Sequence, residues 1–269
     1  MIITVLSPRK GMGQTVLAIN LGALISVSFS RDVLIIDTNR RYRDIENYLC
    51  RSFLTKGMDD LYCLYNAGLL TKDNFKNCVT NIHKQIDVMT SNNCFELDLP
   101  AVDALVDCAS KIYNAVIIDL DSVDSRVSKR LIELSDRVIV VLNQTSGIIG
   151  DIAAQIDFYE SFKRKAVFVV NRYISKKNEG DSVKYGITDM QKDLKKAGFE
   201  NRVFALEYDT HLINECNDKS VLNFILNTRN KKSLYRKQME EIITYVFEGK
   251  RQELAEKGLM KDKLLALEH

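Results

Sequence analysis

Several short runs in this chain are apolar at nearly every position, not at every second one: Ile2 to Leu6, Val33 to Ile36, Ala115 to Ile118, Val138 to Leu142 and Ala166 to Val170. A strand with one wet face alternates apolar and polar side chains, whereas an unbroken Val/Ile run belongs to a strand buried on both faces. Ile86 to Met89 and Val203 to Leu206 read as further strands. Helical spacing fills the intervals: Thr15 to Ser28, about Ala101 to Tyr113, about Ile149 to Phe162, Gly180 to Ala197, and a long amphipathic stretch from about Lys232 to Lys257. Strands alternating with helices predict an α/β three-layer sandwich, a mainly parallel twisted sheet with helices on both faces. In such sheets the ligand crevice lies beyond the carboxyl ends of the strands, so the residues following each strand carry the functional information.

At 269 residues the chain suits one large α/β unit, here residues 1–257, followed by a tail at 258–269 whose last residues read as a tag remnant. The 38 basic and 36 acidic residues nearly balance, which argues against a nucleic-acid coat protein. Basic clusters at Lys163-Arg164-Lys165, Lys176-Lys177, Lys195-Lys196 and Arg229 to Lys232 have acidic neighbours and read mainly as solvated faces. The six cysteines include no CxxC pair, and no His stands at metal-ligand spacing, so a zinc site is not expected and reduced thiols are. The Met-Ile-Ile-Thr-Val-Leu start has no basic region of a signal peptide, and no apolar stretch reaches the ~18 residues of a membrane span, so a cytoplasmic location is expected.

After the first strand comes Ser7-Pro8-Arg9-Lys10-Gly11-Met12-Gly13-Gln14-Thr15, and then a helix opens. Strand, glycine-bearing loop, Thr, helix is a phosphate-loop layout: small residues let backbone N–H groups converge on an anion at a helix N-terminus. Other strand ends carry Asp37-Thr38-Asn39, Asp119-Leu120-Asp121-Ser122, Asn143-Gln144-Thr145-Ser146 with Asp151 beyond, and Asn171-Arg172. Taken in this order, the segments resemble those of the ParA/MinD ATPases over about residues 2 to 247. That family's deviant Walker A loop reads K-G-G-x-G-K-T/S, and Gly11, Gly13 and Thr15 match it. Arg9 stands at the signature lysine that reaches the partner's nucleotide, Lys10 at the first glycine, and Gln14 at the lysine that holds the β- and γ-phosphates.

The resemblance implies that residues 9–15 (Arg9, Lys10, Gly11, Met12, Gly13, Gln14 and Thr15) cradle ATP or ADP. It implies that Thr15, Asp37 and Asp119 hold Mg²⁺ and that Asn171 reads adenine, although Asn171 alone also suits a capped turn. It implies a homodimer that positions cellular machinery. Two positions depart from the pattern. Gln14 offers an amide dipole in place of an ammonium, and Asn39 stands where a second aspartate would help position water; an amide cannot act as a carboxylate base. No catalytic residue is therefore assigned, and hydrolysis is expected to be weak or absent.

The resulting expectation is a positioning or scaffold protein with an impaired nucleotide site. The TadZ/CpaE branch, which localises pilus-assembly machinery, also has atypical Walker boxes. Placement at a cell pole or peripheral to the membrane would then come through a protein partner of a pilus, secretion or partition system. Two alternatives stay open: an active partition ATPase on nonspecific DNA, with Lys10 or Arg9 replacing the missing lysine, and a nucleotide-free interaction domain. The stretch from Gly258 to Ala266 is only faintly like a membrane-binding helix, so insertion is not expected.

Overall fold

The structure, a computed structural model, describes residues 1–39, 44–49, 54–91, 97–121, 125–175, 183–227, 230 and 232–256. Its strands are β1 (Ile2–Leu6), β2 (Val33–Asp37), β3 (Thr80–His83), β4 (Ile86–Met89), β5 (Ala115–Asp119), β6 (Arg137–Leu142), β7 (Ala166–Tyr173) and β8 (Val203–Glu207). Among the described residues they form one eight-stranded sheet in the order β3-β4-β2-β5-β1-β6-β7-β8. Every pairing is parallel except that of the edge strand β3 with β4. The five strands expected from unbroken apolar runs are buried along those runs, as two-sided coverage requires.

The helices, in chain order, are α1 (Gln14–Phe29), α2 (Asp44–Leu49), α3 (Met58–Asn66), α4 (Lys72–Phe75), α5 (Leu99–Ile112), α6 (Arg126–Leu134), α7 (Gly147–Ala154), α8 (Ile156–Glu160), α9 (Ile187–Lys196), α10 (Thr210–Asn217), α11 (Val221–Leu226) and α12 (Leu234–Glu256). The connection from β1 to β2 moves one way across the sheet, and those from β4 to β5, β5 to β6, β6 to β7 and β7 to β8 move the other way. Right-handed crossovers then put α1 on one face and α5, α6, α7 and α9 on the opposite one. Helices α11 and α12 pack against α1, and α12 also meets β8. Every residue of α1 from Val16 to Ser26 is buried, so this helix is the hub of its layer, and its N-terminus is held at the tip of β1.

Three differences from the sequence reading have local causes. The helical stretch about Ile149 to Phe162 is two helices broken at Gln155 (φ −120°, ψ 36°), where the N–H of Gln155 turns to the Ile152 carbonyl three residues back. The helix expected over Gly180 to Ala197 runs Ile187–Lys196, with Gly180 outside the described residues. It starts after Gly186, whose N–H is held by the Asp189 carboxylate. The last helix runs Leu234–Glu256; Lys257 and the tail at 258–269 lie outside the described residues. Among the described residues no helix is long and apolar enough to cross a membrane.

Candidate functional site

Parallel pairing brings the carboxyl ends of β1, β2 and β5 side by side. Asp37 and Asp119 are register partners on adjacent strands, and Val5 is paired with Asp119 on the other side. Thr38 cross-links the strand tips: its hydroxyl donates to the Asp119 carbonyl at 3.0 Å and accepts from the Asp121 N–H at 2.9 Å. The loop from Ser7 to Gly13 rises from β1 beside these carboxylates and turns into α1. Both of its glycines are left-handed, at φ 83°. At Gly13 this freedom is doubled by crowding, because a Cβ there would lie 2.3 Å from Asn171 Nδ2; at Gly11 a Cβ would meet nothing within 4 Å. The N-terminus of α1 has no side-chain cap and no acidic residue in its first turn, so its free N–H groups leave a positive end.

The loop encloses one side of a cavity of about 410 Å³. Ser7, Gln14, Thr15, Asp37, Asn39 and Asp119 line it, and so do Asp44, Tyr48, Asp121 and Arg172, which the sequence reading did not single out as site residues. A second cavity of about 240 Å³ lies on the other side of the loop, against Met12, Asn143, Gln144, Asn171 and Arg172. The structure thus brings residues 9–15, Asp37, Asn39, Asp119 and Asn171 into one neighbourhood.

Within it the two departures from the family pattern are hydrogen-bonded to carboxylates. Gln14 Nε2 donates to Asp119 Oδ1 at 2.5 Å and to the Leu120 carbonyl at 2.8 Å, while its Oε1 accepts from Ser7 Oγ at 2.9 Å. Asn39 Nδ2 donates to Asp44 Oδ2 at 2.5 Å. The loop cations are also engaged. Lys10 Nζ lies 2.8 Å from Asp121, and Arg9 is ion-paired with Asp151 of α7. Asn171 Nδ2 donates to the Met12 carbonyl at 2.8 Å, so here this amide clamps the loop to the end of β7. Gln144 spends its own amide on the backbone of Ile174 and Tyr185.

The carboxylates carry the mark of burial. Asp119 is pushed up to about 6, mainly by loss of solvent, against the opposing hydrogen bonds from Thr15 and Gln14. Asp37 is held well above the usual carboxylate range, first by burial and then by the Asp119 charge, despite accepting the N–H groups of Asn39 and Ile45. Asp44 is raised as well, again mainly by burial. Two buried carboxyls in adjacent register, each pushed towards its protonated form, make a pair whose ionisation a cation would favour.

The fit to nucleotide and Mg²⁺ therefore divides into two parts. The left-handed glycines, the uncapped helix start and the space at Gly11 suit a phosphate. The Thr15 hydroxyl and the Asp37 and Asp119 carboxylates are the hard oxygen donors that Mg²⁺ favours. The fixed positive charge that would balance a terminal phosphate is absent from position 14.

Elsewhere several cations of the basic clusters have local partners. Lys163 pairs with Glu160, Lys195 with Glu200 and Lys196 with Asp193, and Lys165 donates to the Glu133 carbonyl. Lys176, Lys177 and Arg229 lie outside the described residues. Cys63, Cys78, Cys108 and Cys216 are free thiols, while Cys50 and Cys94 lie outside the described residues.

No protein-family model and no curated protein sequence matches the chain. Solved structures do match it. A ParA family ATPase from Chlorobium tepidum TLS superposes with a TM-score of 0.73 at 18% identity, covering 90% of this chain and 97% of its own. A chain of the MinC:MinD cell division protein complex from Aquifex aeolicus gives 0.70 at 16% identity, over 90% and 96%. The septum site-determining protein MinD complexed with Mg-ADP from Pyrococcus horikoshii OT3 gives 0.68 at 14%, over 90% and 95%. The chain therefore has the fold of the ParA/MinD P-loop ATPases.

Proposed function

We propose that the chain is a ParA/MinD-like positioning or scaffold protein that binds adenine nucleotide weakly and hydrolyses it poorly or not at all. One observation carries the reading: Gln14, at the place of the phosphate-gripping lysine, is a neutral amide bonded to Asp119 and Leu120. Hydrogen bonds with an ionised partner are roughly twice as strong as neutral ones, so a triphosphate loses much of its hold when an amide replaces an ammonium. Asn39 removes the carboxylate that would position water, and its amide is already committed to Asp44. The backbone cradle survives both changes, which favours weak binding over none.

A chain of this kind suits a stable platform better than an oscillating switch, since a switch needs hydrolysis to reset. We assign it residues 1–257 as one unit, a homodimer as its working form, and a partner in a pilus, secretion or partition assembly as its cargo, with placement at a pole or at the membrane coming through that partner. The second reading, a nucleotide-free interaction domain, is favoured by the internal bonding of Arg9, Lys10, Gln14 and Asn171. Calorimetry with ATP or ADP and Mg²⁺, combined with sedimentation, separates the two. Weak but saturable binding with slow turnover supports the proposal. Absence of binding at millimolar nucleotide supports the second reading, and turnover stimulated by DNA would overturn both in favour of a partition ATPase.

A further inference from the structure

Three cations line the two cavities around the loop, and they are not equivalent. Arg9 is neutralised by Asp151 and Lys10 by Asp121. Arg172 has no carboxylate partner among the described residues. Its Nη1 lies 3.5 Å from the Gly11 carbonyl, at the limit of a hydrogen bond, and its Nε lies 3.9 Å from where a Cβ on Gly13 would be. The guanidinium thus lies across the outer surface of the glycine loop. It lines both the cavity that holds Asp119 and the one that holds Asn171. Its charge also acts on the Tyr48 phenol and the Cys216 thiol, whose ionisations burial pushes up, so both stay neutral at pH 7.

The backbone gives this placement independent support. Arg172 sits at φ 53°, in the left-handed region that a long side chain rarely adopts. The pairing of β7 with β8 shifts register between Val170 and Tyr173, so an irregularity falls at this residue. The bend lets Asn171 turn in to clamp Met12 while Arg172 stays solvent-accessible over Gly11. Strained backbone of this sort is held only where the surrounding structure enforces it, and such residues gather at ligand sites.

We propose that Arg172 supplies the positive charge for a phosphate-bearing ligand at this loop, in place of the lysine missing at position 14. The inference rests on the weak-binding reading above and names the residue that makes that binding possible.

The test is calorimetry of the full chain with ADP and ATP in Mg²⁺, and with inorganic pyrophosphate, at two salt concentrations. Arg172→Gly removes the side chain while suiting the left-handed backbone, so the variant keeps its fold, and thermal melting checks this. The expected result is ADP binding about 10- to 100-fold weaker in Arg172→Gly, with a flatter salt dependence and partial recovery in Arg172→Lys. Lys196→Gln, which removes an ion-paired cation of α9 that lines neither cavity, should change affinity by less than about threefold. Equal ADP affinity in Arg172→Gly and the parent overturns the assignment and leaves the weak-binding reading standing. Failure of the parent to bind any of the three ligands at millimolar concentration overturns both.

Discussion

Replacing Gln14 by lysine separates a phosphate cradle that has lost its charge from a turn that never held a phosphate. Lysine places its donor one bond farther from the backbone than glutamine does, beyond the present contacts with Asp119 and Leu120 and into the cavity. A hydrogen bond to a charged group is worth about 1.5–3 kcal/mol against about 0.5–1.5 for a neutral one, so the gain on a bound phosphate is about 1–2 kcal/mol. That corresponds to ATP binding about 5- to 30-fold tighter in Gln14→Lys. A second effect acts on the empty protein. An ammonium beside Asp119 offsets the burial that pushes this carboxyl up to about 6, so the variant should melt higher than the parent at pH 7.5. The advantage should fade near pH 5, where Asp119 of the folded parent is already largely protonated. Turnover should remain low because Asn39 is unchanged. Calorimetry with ATP and Mg²⁺, melting at the two pH values and a phosphate-release assay read the three effects. A variant that gains thermal stability at pH 7.5 but no affinity for ATP would refute the reasoning, because the ammonium would then be answering Asp119 alone.

Two further outcomes follow from the same geometry. Asp119 titrates higher folded than unfolded, so its contribution favours the folded state as pH falls from about 7 towards 4 and is lost as pH rises through about 6. Asp119→Asn should therefore stabilise the ligand-free protein at pH 7.5 by about 1–3 kcal/mol in urea unfolding, with the difference from the parent shrinking towards pH 4; a constant difference across that range would contradict the assignment. Gly11→Ala and Gly13→Ala both force alanine into φ 83°, a cost of about 1–2 kcal/mol, but only at Gly13 does the new methyl collide with Asn171. Gly13→Ala should thus be the more destabilising of the two by at least about 1 kcal/mol, and equal melting temperatures would show that Asn171 does not clamp the loop.

What could be read from the residues, and what could not, divides by how far the signal reaches along the chain. The strands β1, β2, β5 and β6 announced themselves because burial on both faces leaves no position polar enough to break an apolar run. Edge strand β3 escaped because Thr80-Asn81-Ile82-His83 is only partly buried and carries no such run. Helices α10 and α11 are short, so their periodicity is slight. At the site, the loop and the strand-end aspartates were legible as motifs. The inward turn of Asn171, the left-handed Arg172 and the arrival of Asp44 and Tyr48 were not. These depend on a register shift and on a short helix folding back over the strand tips, which bring together residues distant in sequence. Asp121 was in view two residues past the end of β5, but its pairing with Lys10, 111 positions away, is a tertiary event.

The two amides have a common physical consequence for the ligand-free protein. A carboxylate at position 39 would stand beside Asp44, in the cavity that already holds Asp37 and Asp119, as one more buried negative charge, and buried charges are costly unless partnered. With a ligand absent, such a site is stressed, and ligand binding relieves the stress. Gln14 and Asn39 instead donate to Asp119 and Asp44, so each neutral group satisfies a nearby carboxylate without adding charge. The empty loop is then closer to self-sufficient, although Asp37 and Asp119 still press on each other. A protein that acts as a platform benefits from this, because its shape no longer hinges on nucleotide occupancy. The same trade predicts that nucleotide should stabilise this chain only slightly. The shift in melting temperature on adding ATP and Mg²⁺ should be small in the parent and larger in Gln14→Lys, tracking the difference in affinity. A large shift in the parent would mean that occupancy still governs the fold, and a switch would then describe the molecule better than a scaffold.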